Sequence, residues 1–237
     1  MREIADLGAK QTPPFRFAYE NLCWATFSST WESAWAVVKG VDRDNFGLCL
    51  DTFNIAGRGW ADPAREDGRR ENADEVFRES LKRMVKEVDA KKIFYVQAVD
   101  AERLSRPLDE QHPFHVEGQK PRMSWSRNAR LFMCEEDRGG YLPVIEVLKA
   151  ICDEKEGLGY KGWISMEFFN KSLVDSRSEV PAEHARRAME SWRRLVKVMD
   201  WEDKVEVLPP TTPAAKVANS ASKQLGVAQM PEISARL

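Results

Sequence analysis

Four short apolar runs, each closing on an oxygen-bearing side chain, set the pattern of the chain. They are Phe15 to Glu20, Phe46 to Asp51, Ile93 to Gln97 and Gly162 to Glu167. Runs without polar alternation predict parallel strands covered on both faces, and the first polar residue after such a run sits where the strand leaves the core. The clearest lies within Asn45 to Asn54, where Phe46, Leu48, Cys49 and Leu50 lead directly into Asp51. Between the runs the period becomes helical. Trp31, Ala34, Trp35 and Val38 mark one helix with Gly40 as its cap, and Ala73, Val76, Phe77, Leu81, Met84, Val85 and Val88 mark a second, the best defined in the sequence. Leu142, Ile145, Leu148, Ile151 and Cys152 mark a third, broken by Gly157 and Gly159; Ala185, Ala188, Met189, Trp192, Leu195, Val196 and Met199 mark a fourth. Residues 1 to 11 read as the last turns of a helix with Ile4 and Leu7 inward, ended by Pro13 and Pro14.

Strands alternating with helices predict βα units around a parallel sheet. The strand-end residues Glu20, Asp51, Gln97 and Glu167 are separated by 31, 46 and 70 residues. The first interval fits one βα repeat of a barrel, and the others are swollen by loops. Residues 12 to 200 thus amount to four βα units, half of an eight-stranded barrel. One polar stretch, about forty residues up to Arg138, shows no clear period and exceeds the usual length of a connection. Beyond Val207, Pro209, Pro210, Pro213 and small residues predict a disordered tail, giving one domain over 1–207 and a tail over 208–237.

Composition narrows the classes without choosing among them. A chain that is 43% hydrophobic and 31% charged is ordinary for a soluble α/β protein. With 36 basic against 38 acidic residues and a net charge of −2, it has no broad electrostatic reason to bind nucleic acid or an anionic membrane. Cys23, Cys49, Cys134 and Cys152 are widely spaced and read as reduced core residues. There is no 18-residue apolar run and the start lacks the apolar stretch of a signal peptide, so the expected compartment is the cytosol.

Catalytic groups of α/β proteins gather at the carboxyl ends of parallel strands, so Glu20, Asp51, Gln97 and Glu167 are expected at one mouth. Three carboxylates and an amide oxygen suit one hard or borderline divalent ion, Mg²⁺, Mn²⁺ or Co²⁺, and the carboxylates would repel without a cation. The plainer reading stands beside it: each acid caps or flanks a strand end in solvent. Asn54 and Asp100, each three residues after a strand end, either turn back to the same mouth or serve as turn residues. His112 and His115 in the long loop are weaker acid/base candidates, and His184 sits on a charged helix as a solvated residue. In Met123 to Phe132, Ser126, Arg127 and Arg130 lie among aromatics, a pattern suited to holding a carboxylate or else to a solvated loop.

Five segments carry a family resemblance: Phe17 to Leu22, Leu50 to Asn54, Tyr95 to Asp100, Trp125 to Phe132 and Met166 to Asn170. With them the chain resembles the xylose-isomerase-like TIM barrels, and within these the 3-dehydroshikimate dehydratases of quinate catabolism, especially the fungal type. The likeness runs to about residue 200 and corresponds to strands five to eight, the C-terminal half of the barrel. It implies that Glu20, Asp51, Gln97 and Glu167 bind one divalent metal, that Glu20 and Glu167 serve catalysis, and that Ser126 and Arg130, with Arg127 and Asn54 nearby, hold the substrate. Some relatives carry histidine where this chain has Leu22 or Asn54. The implied reaction is dehydration of 3-dehydroshikimate to protocatechuate. Two alternatives stay open: a sugar or polyol isomerase or epimerase of the same fold, and an inactive fragment that needs an N-terminal half. Unpaired sheet edges are expected to favour a homo-oligomer.

Overall fold

The computed structural model describes residues 1–201, and the expected tail lies outside them. Strands β1 (Phe17–Glu20), β2 (Phe46–Asp51), β3 (Ile93–Gln97) and a short fourth, Ile164–Ser165, form one parallel sheet in chain order. Helix α1 (Arg2–Ala9) precedes β1. Helix α2 (Trp31–Val41) joins β1 to β2, and α3 (Thr52–Gly59) and α4 (Ala73–Glu87) join β2 to β3. All six residues of β2 are buried, which is why its sequence shows no polar alternation.

Local chemistry sets the element ends. Thr30 and Ser33 form a reciprocal capping box at the start of α2. The helix runs one residue past Gly40, and Asp42 closes it in the left-handed conformation. At Gly47 a side chain would collide with the carbonyl of Lys92 and the ring of Phe94, so β2 and β3 approach closely only because that residue is glycine. In α4, Ala73, Phe77, Leu81 and Met84 form the buried stripe, while Val76 is exposed.

Three expectations are corrected. In α1 the inward residues are Ala5 and Gly8, not Ile4 and Leu7, which are exposed; Gly8 lies against the Phe17 ring, where any larger residue would clash. The long polar stretch is built rather than irregular. It holds β4 (Asp100–Ala101), α5 (Pro121–Asn128) and β5 (Arg130–Leu131), with β4 and β5 antiparallel. Its order rests on buried Trp125, whose Nε1 donates to the Glu102 carbonyl at 2.9 Å, and on buried Asp100, which accepts from the Ala101 and Leu142 amides. Burial pushes the Asp100 carboxyl up to about 7.

After β5 come α6 (Val144–Cys152), β6 (Ile164–Ser165, the fourth strand of the parallel sheet) and α7 (Val180–Val198). The third correction concerns α7, which buries Val180, Arg187, Ser191 and Leu195 and leaves Met189 exposed. Arg187 is inward because Glu135 meets it bidentately, at 2.8 and 2.7 Å, with both side chains 6% exposed. The four cysteines are free and buried. No helix among the described residues is long and apolar enough to cross a membrane.

Candidate metal centre

Parallel register brings the strand-end residues to one edge of the sheet. Asp51 lies level with Gln97, and Gln97 with Ser165, two residues short of Glu167. Glu20 is level with Cys49, one pleat below Asp51 on the same face, and the longer glutamate chain covers that step. Ligand oxygens of Glu20, Asp51 and Glu167 lie within 4.8 Å of one another.

A network of hydrogen bonds fixes the oxygens. Asp51 caps α3: its Oδ1 accepts from the Asn54 amide at 3.0 Å, which anchors the acid at the strand-to-helix turn. The Asn54 side chain donates to Glu20 Oε1 at 2.7 Å and to Asp51 Oδ2 at 3.1 Å, while its own oxygen accepts from the Cys23 amide. Gln97 Nε2 donates to Glu167 Oε1 at 2.9 Å, and its oxygen accepts from Cys49 Sγ at 3.3 Å.

Arg130 closes the network. Its Nη1 donates to Asp51 Oδ2 at 2.8 Å and to Glu167 Oε2 at 2.7 Å, and its Nε donates to Ser126 Oγ at 3.1 Å. The Phe53 and Phe169 rings lie 4.4 and 5.3 Å from the guanidinium carbon. Burial opposes the charge on Arg130, but Asp51 and Glu167 outweigh it and hold the guanidinium above its ordinary pKa. Burial, then the charges of Asp51 and Glu167, push the Glu20 carboxyl up to about 8. Burial also raises Glu167, against the pull of Arg130. Three carboxylates around a single guanidinium leave the cluster short of positive charge, so the donor set fits a further cation.

The structure therefore joins Glu20, Asp51, Gln97, Glu167, Asn54, Ser126 and Arg130, and leaves other sequence candidates outside. Arg127 is exposed and bonded to Gln119. His112 is buried and accepts from the Phe114 amide, and His184 is half-buried between Ser172 and the Phe168 ring, not solvated. Asp100 is taken up by the Ala101 and Leu142 backbone amides. Two roles escaped the sequence reading: Asn54 as the bridge between Glu20 and Asp51, and Arg130 as the counter-charge of Asp51 and Glu167. The first had a signal in Asp51-Thr52-Phe53-Asn54, an N-cap opening a helix; the second, set 79 residues from Asp51, had none.

The family model described as "Xylose isomerase-like TIM barrel" matches residues 1–195. A 3-dehydroshikimate dehydratase of Neurospora crassa is 52% identical over 195 residues, covering 82% of this chain and 54% of that protein. A 3-dehydroshikimate dehydratase of Pseudomonas aeruginosa is 28% identical over 80% of this chain and 23% of its own length. The chain thus spans about half, or less, of these curated relatives. Among solved structures, the IOLI protein with a binding zinc atom superposes with a TM-score of 0.53 at 22% identity, over 84% of this chain and 53% of that one.

Proposed function

Because the chain belongs to the xylose isomerase-like TIM barrel family, we propose that its acidic cluster holds one divalent ion, Mg²⁺, Mn²⁺ or Co²⁺, for the dehydration of 3-dehydroshikimate to protocatechuate. The observation that carries the reading is the convergence of Glu20, Asp51 and Glu167 in a chain 52% identical to a curated enzyme of that name. Glu20, Asp51 and Glu167 supply the charged ligands, and Gln97 the fourth once its amide oxygen faces inward. The oxygen-only donor set favours these ions over a thiolate-selected metal. A divalent ion there supplies Lewis-acid stabilisation of charge developing on the substrate's C3 oxygen.

The chain's own residues account for the remaining work. Loss of the C4 proton beside the C3 ketone expels the C5 hydroxyl as water, and a proton shift from C6 to the C3 oxygen completes the aromatic ring. Glu20 and Glu167 are the carboxylates placed to take and return protons. Glu20 is the better base: Asn54 engages its Oε1 and, among the described residues, none donates to its Oε2, whereas both oxygens of Glu167 are engaged. The substrate carboxylate is assigned to Ser126 and Arg130, with the exposed Arg127 nearby on α5.

The four parallel strands are assigned to strands five to eight of the barrel; residues 202–207 of the expected domain over 1–207 lie outside the described residues, and self-association through the outer edges of β1 and β6 follows from that assignment. A sugar or polyol isomerase or epimerase is the second reading. It is favoured by the engagement of Arg130 Nε and Nη1 inside the protein, since a neutral substrate needs no guanidinium. Chelated protein given 3-dehydroshikimate with each ion in turn tests the first reading. Protocatechuate should appear only with metal and not in Asp51→Asn, and isomerised sugar without protocatechuate would move the assignment to the second.

A further inference from the structure

Arg130 occupies the position of a cation among the residues proposed to bind one. A single nitrogen, Nη1, lies 2.8 Å from Asp51 Oδ2 and 2.7 Å from Glu167 Oε2, and also approaches the Glu167 carbonyl at 3.4 Å. The group is held there from three sides: Ser126 takes Nε, Phe53 and Phe169 cover the guanidinium, and the side chain is 1% exposed. Solvent does not screen a charge so placed, so its interaction with anything bound to the same carboxylates is strong and of fixed sign.

We propose that Arg130 is a built-in counter-cation that competes with the divalent ion for Asp51 and Glu167. In the metal-free protein its positive charge lets three clustered carboxyl groups share one site. On loading, the guanidinium gives up part of its hold on those oxygens. It then becomes available to an anionic substrate, so that carboxylate binding follows metal binding rather than preceding it. This inference rests on the metal reading and adds what that reading lacks, a resident competitor. The simpler role, in which Arg130 only steadies the ligand oxygens from behind, requires the opposite sign: losing it would weaken metal binding.

Titration calorimetry with Mn²⁺ on the full chain separates the two, using wild type, Arg130→Met, Arg130→Lys and Asp51→Asn, with thermal unfolding in chelator as a readout independent of metal. Competition predicts that Arg130→Met binds Mn²⁺ about tenfold or more tightly than wild type and melts lower in chelator. Arg130→Lys, which keeps the charge, should stay near wild type. Should Arg130→Met fail to fold, Ser126→Ala frees the guanidinium from its anchor and should also tighten binding. Weaker or unchanged affinity in Arg130→Met, while wild type binds Mn²⁺ through Asp51, overturns this proposal alone. Mn²⁺ binding gained in Arg130→Met but undetectable in wild type supports it, and absence of binding in both overturns it together with the metal site.

Discussion

Replacing Glu20 with glutamine removes one of the three carboxylates while keeping an oxygen able to accept from Asn54. In the folded, metal-free protein Glu20 titrates near 8 instead of the ordinary 4.5, first because burial disfavours its charge and then because Asp51 and Glu167 repel it. An acid raised in this way binds more protons folded than unfolded, so stability falls as pH rises. The contribution is fully present below about 4.5, drains away through the folded value near 8, and is gone above it. At about 1.4 kcal/mol per unit, the displacement corresponds to about 5 kcal/mol. Because Asp51 and Glu167 share the repulsion, a single substitution should recover roughly half, about 2 to 3 kcal/mol. Urea unfolding of chelated wild type and Glu20→Gln at about pH 5, 7 and 9 measures it. The two should be close near pH 5, with Glu20→Gln the more stable by that margin near pH 9. A constant difference across the range would refute the claim that burial and its neighbours hold Glu20 protonated in the folded protein.

Other outcomes follow from the packing. Arg187→Ala removes the bidentate partner of buried Glu135 and leaves it the more exposed Arg138 at 3.5 Å, so it should cost about 3 kcal/mol in urea unfolding, more than Glu135 and Arg187 replaced together by Gln and Met. Phe77→Ala, in the buried stripe of α4, should cost about 3 to 5 kcal/mol by the same assay, whereas Val76→Ala should stay within about 1 kcal/mol. Asn54→Leu, which removes the donor to Glu20 and Asp51 without opening a cavity, should weaken Mn²⁺ binding measured by calorimetry about tenfold or more. Size-exclusion chromatography should show a species larger than a monomer if the edges of β1 and β6 pair between copies.

The sheet was legible because its signal is local. An apolar run ending at Asp51 or Gln97 states burial, length and exit point within six residues, and parallel register then follows from the helices between. The carboxylate cluster was legible for the same reason. What the sequence hid depends on distant partners. Arg187 reads as a solvated charge until Glu135 is brought to it, and Ile4 and Leu7 read as core until Phe17 is seen to need the space at Gly8. The stretch between β3 and α6 has little apolar period because its order comes from Trp125, Asp100 and Arg122, which bind backbone carbonyls or amides rather than packing as a stripe. Arg130 combines both difficulties, since its role exists only where the end of β2 and the residues after β6 meet α3 and α5.

The most direct test of the metal-dependent dehydratase assignment is release of protocatechuate from 3-dehydroshikimate by this chain, followed by chromatography, with Mn²⁺, Co²⁺ or Mg²⁺ added back to chelated protein and Glu167→Gln run in parallel. Product is expected with at least one of these ions, none in chelator, and none from Glu167→Gln. Product formed at the same rate in chelator, or by Glu167→Gln, would contradict it.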